Sequence, residues 1–276
     1  MKVIIAKYAG FCFGVKRALD LVNSEVDAGR RTSTLGPLIH NPQVVKYLED
    51  KGVKVVSSVS EADGGIVMPS HGVSKETIKQ ALDLGLNVVD AACPFVTNVV
   101  EKVAKLSADG YDVVMVGDAG HTEVKAIMSA AGESAVVVSS IEDAIKLKWN
   151  NKRVGVVSQT TQSPSQFGEI VGYISSRASE TLVYNTICYA TLDRQNDAAE
   201  IARRVDAMVV VGGKNSANTN RLAHICAEIG VPTYHIETAS EINKDWFIGV
   251  NSVGLTAGAS TPDWIINEVC ETLEAL

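Results

Sequence analysis

Short apolar runs alternate with amphipathic helical patterns along the chain. The first apolar run, Val3–Ile5, has strand length and is followed by a polar loop. Val15, Leu19 and Val22 then recur at the spacing of one helix face. The same order of strand, loop and helix returns eight more times, which predicts nine such units. Their predicted strands are Val3–Ile5, Thr32–Leu35, Ile66–Met68, Val88–Val89, Val113–Val116, Val154–Val157, Leu182–Tyr184, Ala207–Val211 and Val253–Leu255.

Similar loops recur at constant distances along the sequence. Matched distances in separate features indicate an internal repeat rather than coincidence. We therefore predict three copies, with boundaries 1–86, 87–180 and 181–276. The matching pairs are Cys12–Cys93 and His40–His121, each 81 residues apart, and Cys93–Cys188 and His121–Ser216, each 95 residues apart.

Strands that alternate with helices favour parallel sheets. An extra strand follows the second unit of each copy, at Val53–Val56, Ala135–Val138 and Thr233–Ile236. We predict an α/β fold of three similar small α/β domains with mainly parallel sheets around a pseudo-threefold axis, a trefoil-like arrangement. Ligand sites lie at the carboxyl ends of such strands. Three copies around this axis would bring Cys12, Cys93 and Cys188 together at the centre, where we expect the cluster that they bind. A (β/α) barrel is the alternative, although the extra strands disrupt a simple barrel repeat.

Composition narrows the possible functions. Of 276 residues, 46% are hydrophobic and 21% are charged, which is typical of a globular protein. The net charge of −7 disfavours sequence-independent nucleic-acid binding but allows a small anionic ligand in a locally positive pocket. No apolar run in the sequence approaches the length of a membrane span, and the first residues do not resemble a signal peptide, so we expect a cytoplasmic location.

Five scattered cysteines point away from a disulfide framework. Cys12, Cys93 and Cys188 fall one per copy, each in a loop between strand and helix. Three thiolates can hold an iron–sulfur cluster, zinc or copper(I), and three ligands on a four-site centre leave one position open. We expect one 4Fe–4S cluster with a fourth iron that no cysteine ligates; three unrelated buried thiols are the alternative. Cys226 and Cys270 fall on apolar helix faces and are expected to pack in the core.

Polar residues in the equivalent loops suit an anionic ligand. Imidazoles near helix N-termini bind phosphate, and short hydroxyl and amide side chains donate to its oxygens. Helix capping is the alternative role for the short side chains. The candidate phosphate-binding residues are His40, His71, His121, Thr160, Thr161, Ser216, Asn218 and Ser260.

Glu123 is the nearest candidate proton donor to these loops. It follows His121 by two residues at the head of a helix, where a surface carboxylate that stabilises the helix dipole is the alternative.

Two cofactor motifs are absent from the sequence. Gly213-Lys214-Asn215 lacks the features of a P-loop, and no GxGxxG follows a strand, so neither nucleotide hydrolysis nor a dinucleotide is expected.

With these residues in place, the sequence closely resembles the 4-hydroxy-3-methylbut-2-enyl diphosphate reductases, which end the methylerythritol phosphate route of isoprene biosynthesis. The resemblance spans the whole chain, with one departure at Ala217, where many relatives have serine. The motifs that carry it are Ala-Gly-Phe-Cys12-Phe-Gly-Val, Ile-His40-Asn-Pro, Ser-His71-Gly, Asp-Ala-Ala-Cys93-Pro, Gly-His121-Thr-Glu123, Gln-Thr160-Thr161, Ile-Cys188 and Gly-Ala-Ser260.

The resemblance implies an oxidoreductase that binds a 4Fe–4S cluster through Cys12, Cys93 and Cys188. It implies a two-electron reductive dehydroxylation that gives isopentenyl and dimethylallyl diphosphate, with electrons from a ferredoxin or flavodoxin. Glu123 would supply the proton that lets the hydroxyl leave as water, and Thr160 and His121 would orient that proton transfer. The diphosphate would lie among His40, His71, His121, Ser216, Asn218 and Ser260.

Two other functions fit parts of this pattern. A dehydratase of the quinolinate synthase type also has threefold architecture and a cluster held by three cysteines, but its reaction needs no electron donor. A non-enzymatic protein that binds or senses phosphometabolites would keep the polar loops and merely pack the cysteines.

Overall fold

The structure is a computed structural model that describes residues 1–150 and 152–276. None of its helices in those ranges is long and apolar enough to cross a membrane. Its strands are β1 Lys2–Ile5, β2 Thr32–Leu35, β3 Lys54–Val56, β4 Gly65–Met68, β5 Asn87–Asp90, β6 Asp112–Val116, β7 Val136–Val138, β8 Arg153–Ser158, β9 Glu180–Val183, β10 Ala207–Val211, β11 Thr233–Ile236 and β12 Ser252–Ala257. Its α-helices are α1 Phe13–Asp27, α2 Pro42–Asp50, α3 Lys75–Asp83, α4 Pro94–Ala108, α5 Thr122–Met128, α6 Ile141–Lys146, α7 Pro164–Ser175, α8 Tyr189–Ala202, α9 Ala217–Glu228 and α10 Asp263–Glu274.

The described chain divides into two compact units. The first unit comprises Met1–Lys16, Ile39–Lys51 and Tyr189–Leu276, and it contains one four-stranded sheet. The second unit comprises Arg17–Leu38 and Gly52–Cys188, and it contains two four-stranded sheets.

All three sheets are parallel and follow one plan. The strand orders are β1-β12-β10-β11 in the first unit, and β3-β2-β4-β5 and β7-β6-β8-β9 in the second. The extra strand predicted in each copy forms β3, β7 or β11, and it lies at one edge of its sheet. These observations confirm the predicted α/β fold with three similar parallel sheets. The alternative of a single (β/α) barrel is wrong for the described residues.

The first strand of each predicted copy pairs outside that copy. β1 lies beside β12, with Ile5 opposite Leu255, while β5 lies beside β4 and β9 beside β8. The sheets therefore do not follow the boundaries 1–86, 87–180 and 181–276, which stay a prediction about the sequence repeat. The periodicity predicts each strand but not its neighbour, because parallel partners are distant in sequence.

The predicted strand at Ala207–Val211, β10, is buried on both faces. Val209 and Val211 face one apolar cluster, while Met208 and Val210 face another. Parallel strands covered on both sides by helices have such continuous apolar sequences. Cys226 is fully buried in the second cluster and Cys270 packs beside the first, which confirms their predicted core positions.

A glycine lets α4 pack closely on the sheet of β6–β9. At Gly155 in β8, a Cβ atom would lie 2.6 Å from Cδ2 and 2.8 Å from Cδ1 of Leu106, a fully buried residue of α4. Gly254 in β12 has the same role, since its Cβ would lie 2.6 Å from Cγ2 of Ile201 in α8. The helices that follow Cys93 and Cys188, α4 and α8, therefore each pack against a glycine of a sheet.

We expect Gly155→Ala to destabilise the protein by about 1–3 kcal/mol, because the added methyl group must displace Leu106 in a closely packed core. The midpoint of a urea denaturation curve would fall. Gly172→Ala is the matched control, since a Cβ atom added at this position in α7 would have no other atom within 4 Å. There alanine should stabilise the helix by about 0.5–1 kcal/mol. An unchanged midpoint for Gly155→Ala would contradict the close packing.

Candidate functional site

The three cysteines predicted to bind a cluster each lie directly before a helix. Cys12 precedes α1, Cys188 precedes α8, and Cys93 is the N-cap residue of α4 in an extended conformation. All three side chains are half-buried. Free N–H groups and partial positive charge at a helix N-terminus favour anionic ligands, so these positions suit thiolate chemistry.

The backbone amide of each of these cysteines is anchored in the same way. Each N–H donates to a carbonyl oxygen in the loop that follows a neighbouring parallel strand. In every case the next residue after that carbonyl is a predicted phosphate-binding residue: Ser260, His71 or Thr161. The three bonds are Cys12 to Ala259 at 3.1 Å, Cys93 to Ser70 at 2.9 Å, and Cys188 to Thr160 at 3.0 Å.

The other two cysteines have environments that disfavour metal binding. Burial raises the pKa of the Cys226 thiol to about 11. Burial, followed by the nearby carboxylate of Glu274, also raises the pKa of Cys270. Because the thiolate is the metal ligand, both cysteines are poor ligands.

Among the residues that the structure describes, no three or more His, Cys, Asp or Glu side chains form a group that could hold a metal ion.

Glu123 is a buried carboxylic acid, not the surface carboxylate that a first-turn position suggests. Its side chain is 5% exposed. Thr160 binds both of its oxygens: the backbone N–H donates to Oε1 at 2.7 Å, and the hydroxyl donates to Oε2 at 2.9 Å. These two bonds fix the orientation of the carboxyl group.

Burial raises the pKa of Glu123 above its usual value, while the two hydrogen bonds from Thr160 act in the opposite direction and are weaker. Desolvation disfavours the charged form of a carboxyl group. A buried acid with a raised pKa can hold a proton near neutral pH and release it to a substrate.

Thr160 connects this acid to a cysteine. While its N–H and hydroxyl bind Glu123, its carbonyl oxygen accepts the N–H of Cys188. His121 bonds to the backbone of the same residue: its Nδ1 accepts the N–H of Glu123 at 3.2 Å and caps α5. The second unit thus joins His121, Glu123, Thr160 and Cys188 in one hydrogen-bonded chain.

Gln159 is a buried polar residue that the sequence pattern passed over. Its Oε1 accepts the backbone N–H of Asp118 at 3.1 Å, and its buried Nε2 has no hydrogen-bond partner. A Cβ on Gly117 would lie 3.0 Å from the Gln159 side chain, so the glycine makes room for this amide. Only its position beside Thr160 could have indicated a role.

In the first unit, His40 and Ser260 lie together. The Ser260 hydroxyl donates to the carbonyl oxygen of His40 at 3.4 Å, although the two residues are 220 positions apart. Burial lowers the pKa of His40 below its usual value. Gly213 approaches the same carbonyl, since its Cβ would lie 3.2 Å away.

Asn218 has a buried amide group whose polar atoms lack hydrogen-bond partners. It is 5% exposed, and both its Nδ2 and Oδ1 are buried without a hydrogen-bond partner. Buried amides are normally satisfied, so such an orphaned group calls for a ligand or water. Ser216, two residues earlier, is also buried, and its hydroxyl accepts the N–H of Thr219 to cap α9.

The remaining predicted residues lie in two loops of the second unit. His71 is half-buried and follows Ser70, whose carbonyl anchors Cys93. Thr161 is half-buried and follows Thr160. The structure therefore brings His71 near Cys93 along the backbone, and Thr161 near Cys188, in the same arrangement that places Ser260 near Cys12.

A family model for the LytB protein matches residues 3–274. Two similar proteins are both named 4-hydroxy-3-methylbut-2-enyl diphosphate reductase. The one from Geobacter sp. (strain M21) is 52% identical over 278 residues, which is 100% of this chain and 98% of that protein. The one from Citrifermentans bemidjiense is 53% identical, with the same coverage.

Two solved structures are also similar. A structure of (E)-4-hydroxy-3-methylbut-2-enyl diphosphate reductase is 43% identical, with a TM-score of 0.74 and full coverage of both chains. The E-1-hydroxy-2-methyl-but-2-enyl-4-diphosphate reductase from Plasmodium falciparum is 28% identical, with a TM-score of 0.92 over 99% of this chain and 87% of that one. The agreement of sequence and fold over the whole chain shows that this protein is a member of the LytB family.

Proposed function

We propose that this protein is an iron–sulfur reductase that converts 4-hydroxy-3-methylbut-2-enyl diphosphate into isopentenyl and dimethylallyl diphosphate. The hydrogen-bonded chain from Glu123 through Thr160 to Cys188 is the observation that carries the proposal. It links a buried acid to a predicted cluster ligand through a single residue. The names and full-length similarity of the relatives support reduction over a quinolinate synthase-type dehydration or non-enzymatic phosphometabolite binding.

Cys12, Cys93 and Cys188 would hold one 4Fe–4S cluster. The chemistry of the donor set suits this group, because all three thiols are half-buried and directly precede a helix, and each cysteine amide is bound to its own strand-end loop. Three cysteines leave a fourth iron without a cysteine ligand. When bound, such a cluster supplies electron transfer and a Lewis-acidic iron.

Residues on the strand-end loops would bind the diphosphate. Asn218 offers an amide whose buried polar atoms lack partners, and Ser216 and Ser260 are buried residues with hydroxyl groups in the same unit. His40, His71, His121 and Thr161 occupy the corresponding loops. Their imidazole N–H and hydroxyl groups would donate hydrogen bonds to the phosphate oxygens and orient them.

Glu123 would donate the proton that the leaving hydroxyl needs. In the reaction, two electrons enter the substrate, the allylic C–O bond breaks, and the oxygen leaves as water with the proton from Glu123. A second proton then adds to either end of the resulting allyl anion. Thr160 and His121 would keep the carboxyl group oriented toward the oxygen.

The two electrons would come from a small carrier of the ferredoxin or flavodoxin class, and we propose a cytoplasmic location. Both points rest on the resemblance of the chain to its family.

We expect anaerobically purified protein to contain about four iron atoms and as much sulfide per chain. Mössbauer spectra should show one iron site that changes when the hydroxylated allylic diphosphate is added. Cys93→Ser should lose the cluster, whereas Cys226→Ala should keep wild-type iron content, because Cys226 lies in an apolar cluster. Purified protein that contains no iron, or contains zinc instead, would contradict the reductase mechanism but not the described fold.

We expect Glu123→Gln to keep the cluster and lose about 10²-fold or more in kcat, because the amide cannot donate the proton. Steady-state kinetics with a chemical reductant would measure this effect. Glu142→Gln is the matched control, since Glu142 lies in the first turn of α6 but is exposed. It should leave kcat unchanged. Near-normal turnover by Glu123→Gln would exclude the proposed proton donor.

The stability of the protein should also depend on pH through Glu123. Because burial raises the pKa of this carboxyl group in the folded state, its favourable contribution is present below the ordinary value of 4.5 and is lost as pH rises through the raised value. Glu123→Gln should therefore gain stability relative to wild type between pH 4.5 and neutral pH. Urea denaturation of the metal-free proteins at both limits would test this, and a pH-independent difference would contradict it.

A further inference from the structure

A buried arginine holds the loop that carries Cys12. Arg194 in α8 is 4% exposed. Its Nη2 donates to the carbonyl oxygen of Gly10 at 2.8 Å, two residues before Cys12, while its Nη1 donates to Ala190 in its own helix at 3.0 Å. One guanidinium group therefore joins the first turn of α8 to the loop before α1.

The backbone conformation and close surroundings of Gly10 favour glycine at this position. Its φ of +91° lies in the left-handed region, and a Cβ would lie 3.0 Å from both Asp263 Oδ1 and Ile266 Cδ1. The direction of the Gly10 carbonyl is thus set by the fold, and Arg194 meets it there.

A second arginine makes the same kind of contact at Cys93. Arg17 in α1 donates from Nη1 to the carbonyl oxygen of Ala92 at 3.1 Å, directly before Cys93. Its Nη2 lies 3.4 Å from the carbonyl oxygen of Asp90 at the end of β5. Unlike Arg194, this side chain is only half-buried.

The two contacts follow one rule. Each arginine lies in the first two turns of the helix that follows one cysteine, and each binds the loop that precedes another cysteine. Arg194 follows Cys188 by six residues and holds the Cys12 loop, while Arg17 follows Cys12 by five and holds the Cys93 loop. The Cys188 loop is held by hydroxyl contacts, since Thr186 Oγ1 accepts the N–H of Ser158 at 2.8 Å and donates to its carbonyl at 2.7 Å.

We propose that Arg194 and Arg17 are positioning residues that hold the Cys12 and Cys93 loops in the geometry needed to bind and retain the cluster. The proposal rests on the proposed function. A guanidinium group has donors in a rigid planar fork and can bridge two carbonyl oxygens, whereas lysine is a point charge on a flexible stem. Arginine-to-lysine variants therefore keep the charge and remove the bridge.

The first measurement uses metal-free protein under anaerobic reducing conditions. Cysteines are labelled with iodoacetamide, and the rate at each site is followed by peptide mass spectrometry. Arg194→Lys should speed the labelling of Cys12 and leave Cys93 at the wild-type rate. Arg17→Lys should speed the labelling of Cys93 and leave Cys188 at the wild-type rate, so that each variant is a control for the other.

The second measurement uses protein reconstituted with ferrous iron and sulfide. Loss of outer-shell partners typically weakens metal binding by about 10–100-fold, so we expect both variants to release iron to a chelator about 10-fold faster or more. Arg204→Lys is the matched control, because Arg204 forms an exposed ion pair with Glu200 at 2.9 Å. It should behave as wild type.

Urea midpoints and circular dichroism would establish that the variants are folded. Should Arg194→Lys fail to fold, Arg194→Met, which removes the buried charge and keeps an unbranched stem, and Arg17→Lys at its half-buried position make the same test. Wild-type rates of labelling and iron release in the folded variants would overturn the proposal, as would equal acceleration at every cysteine, including Cys226. Wild-type protein that binds no iron would refute the proposed function instead, while the labelling pattern would still report whether the arginines hold the two loops.

Discussion

The structure depends on three parallel strand pairs that cross the boundaries of the predicted sequence repeat. β1 lies beside β12, β5 beside β4, and β9 beside β8. The cysteine that follows each of these strands donates its backbone N–H to a carbonyl oxygen in the loop after the partner strand. This bond extends the hydrogen bonding of the strand pair into the two loops. The pairing of these strands and the placement of the three cysteine loops are therefore coupled. The predicted repeat assigns each cysteine to one copy, but its backbone amide is held by a loop that the repeat assigns to another copy.

Much of this architecture could be predicted from the sequence because its signals are local. The apolar run and its length identified β10 as a strand, and matched distances identified equivalent loops around Cys12 and Cys93. The partner of β1 could not be predicted in this way. Residues 2–5 pair with residues 252–255, and no local pattern encodes contact over that distance.

The candidate site shows the same division. The loops that carry its residues follow from the pattern, but the environment of each side chain does not. Glu123 occupies a first-turn position that usually faces water, yet it is buried under Thr160. The sequence pattern predicts that Arg194 is an exposed residue on a helix, yet its side chain is buried and donates to the carbonyl oxygen of Gly10. A charged residue in an amphipathic pattern predicts exposure, so burial for function appears as an exception to that pattern.

Thr160 is tightly constrained by its hydrogen bonds, because its N–H, its hydroxyl and its carbonyl oxygen each have a partner. Its N–H and hydroxyl hold the two oxygens of Glu123, and its carbonyl holds the amide of Cys188. The branched side chain restricts χ1, so the hydroxyl is directed at the carboxyl group before any ligand binds. Burying Glu123 costs stability, and these bonds offset only part of that cost, since the pKa of the acid remains raised. The protein therefore keeps a destabilising buried carboxyl group at this position, and it fixes that group through Thr160 to the same strand-end loop that holds the amide of Cys188.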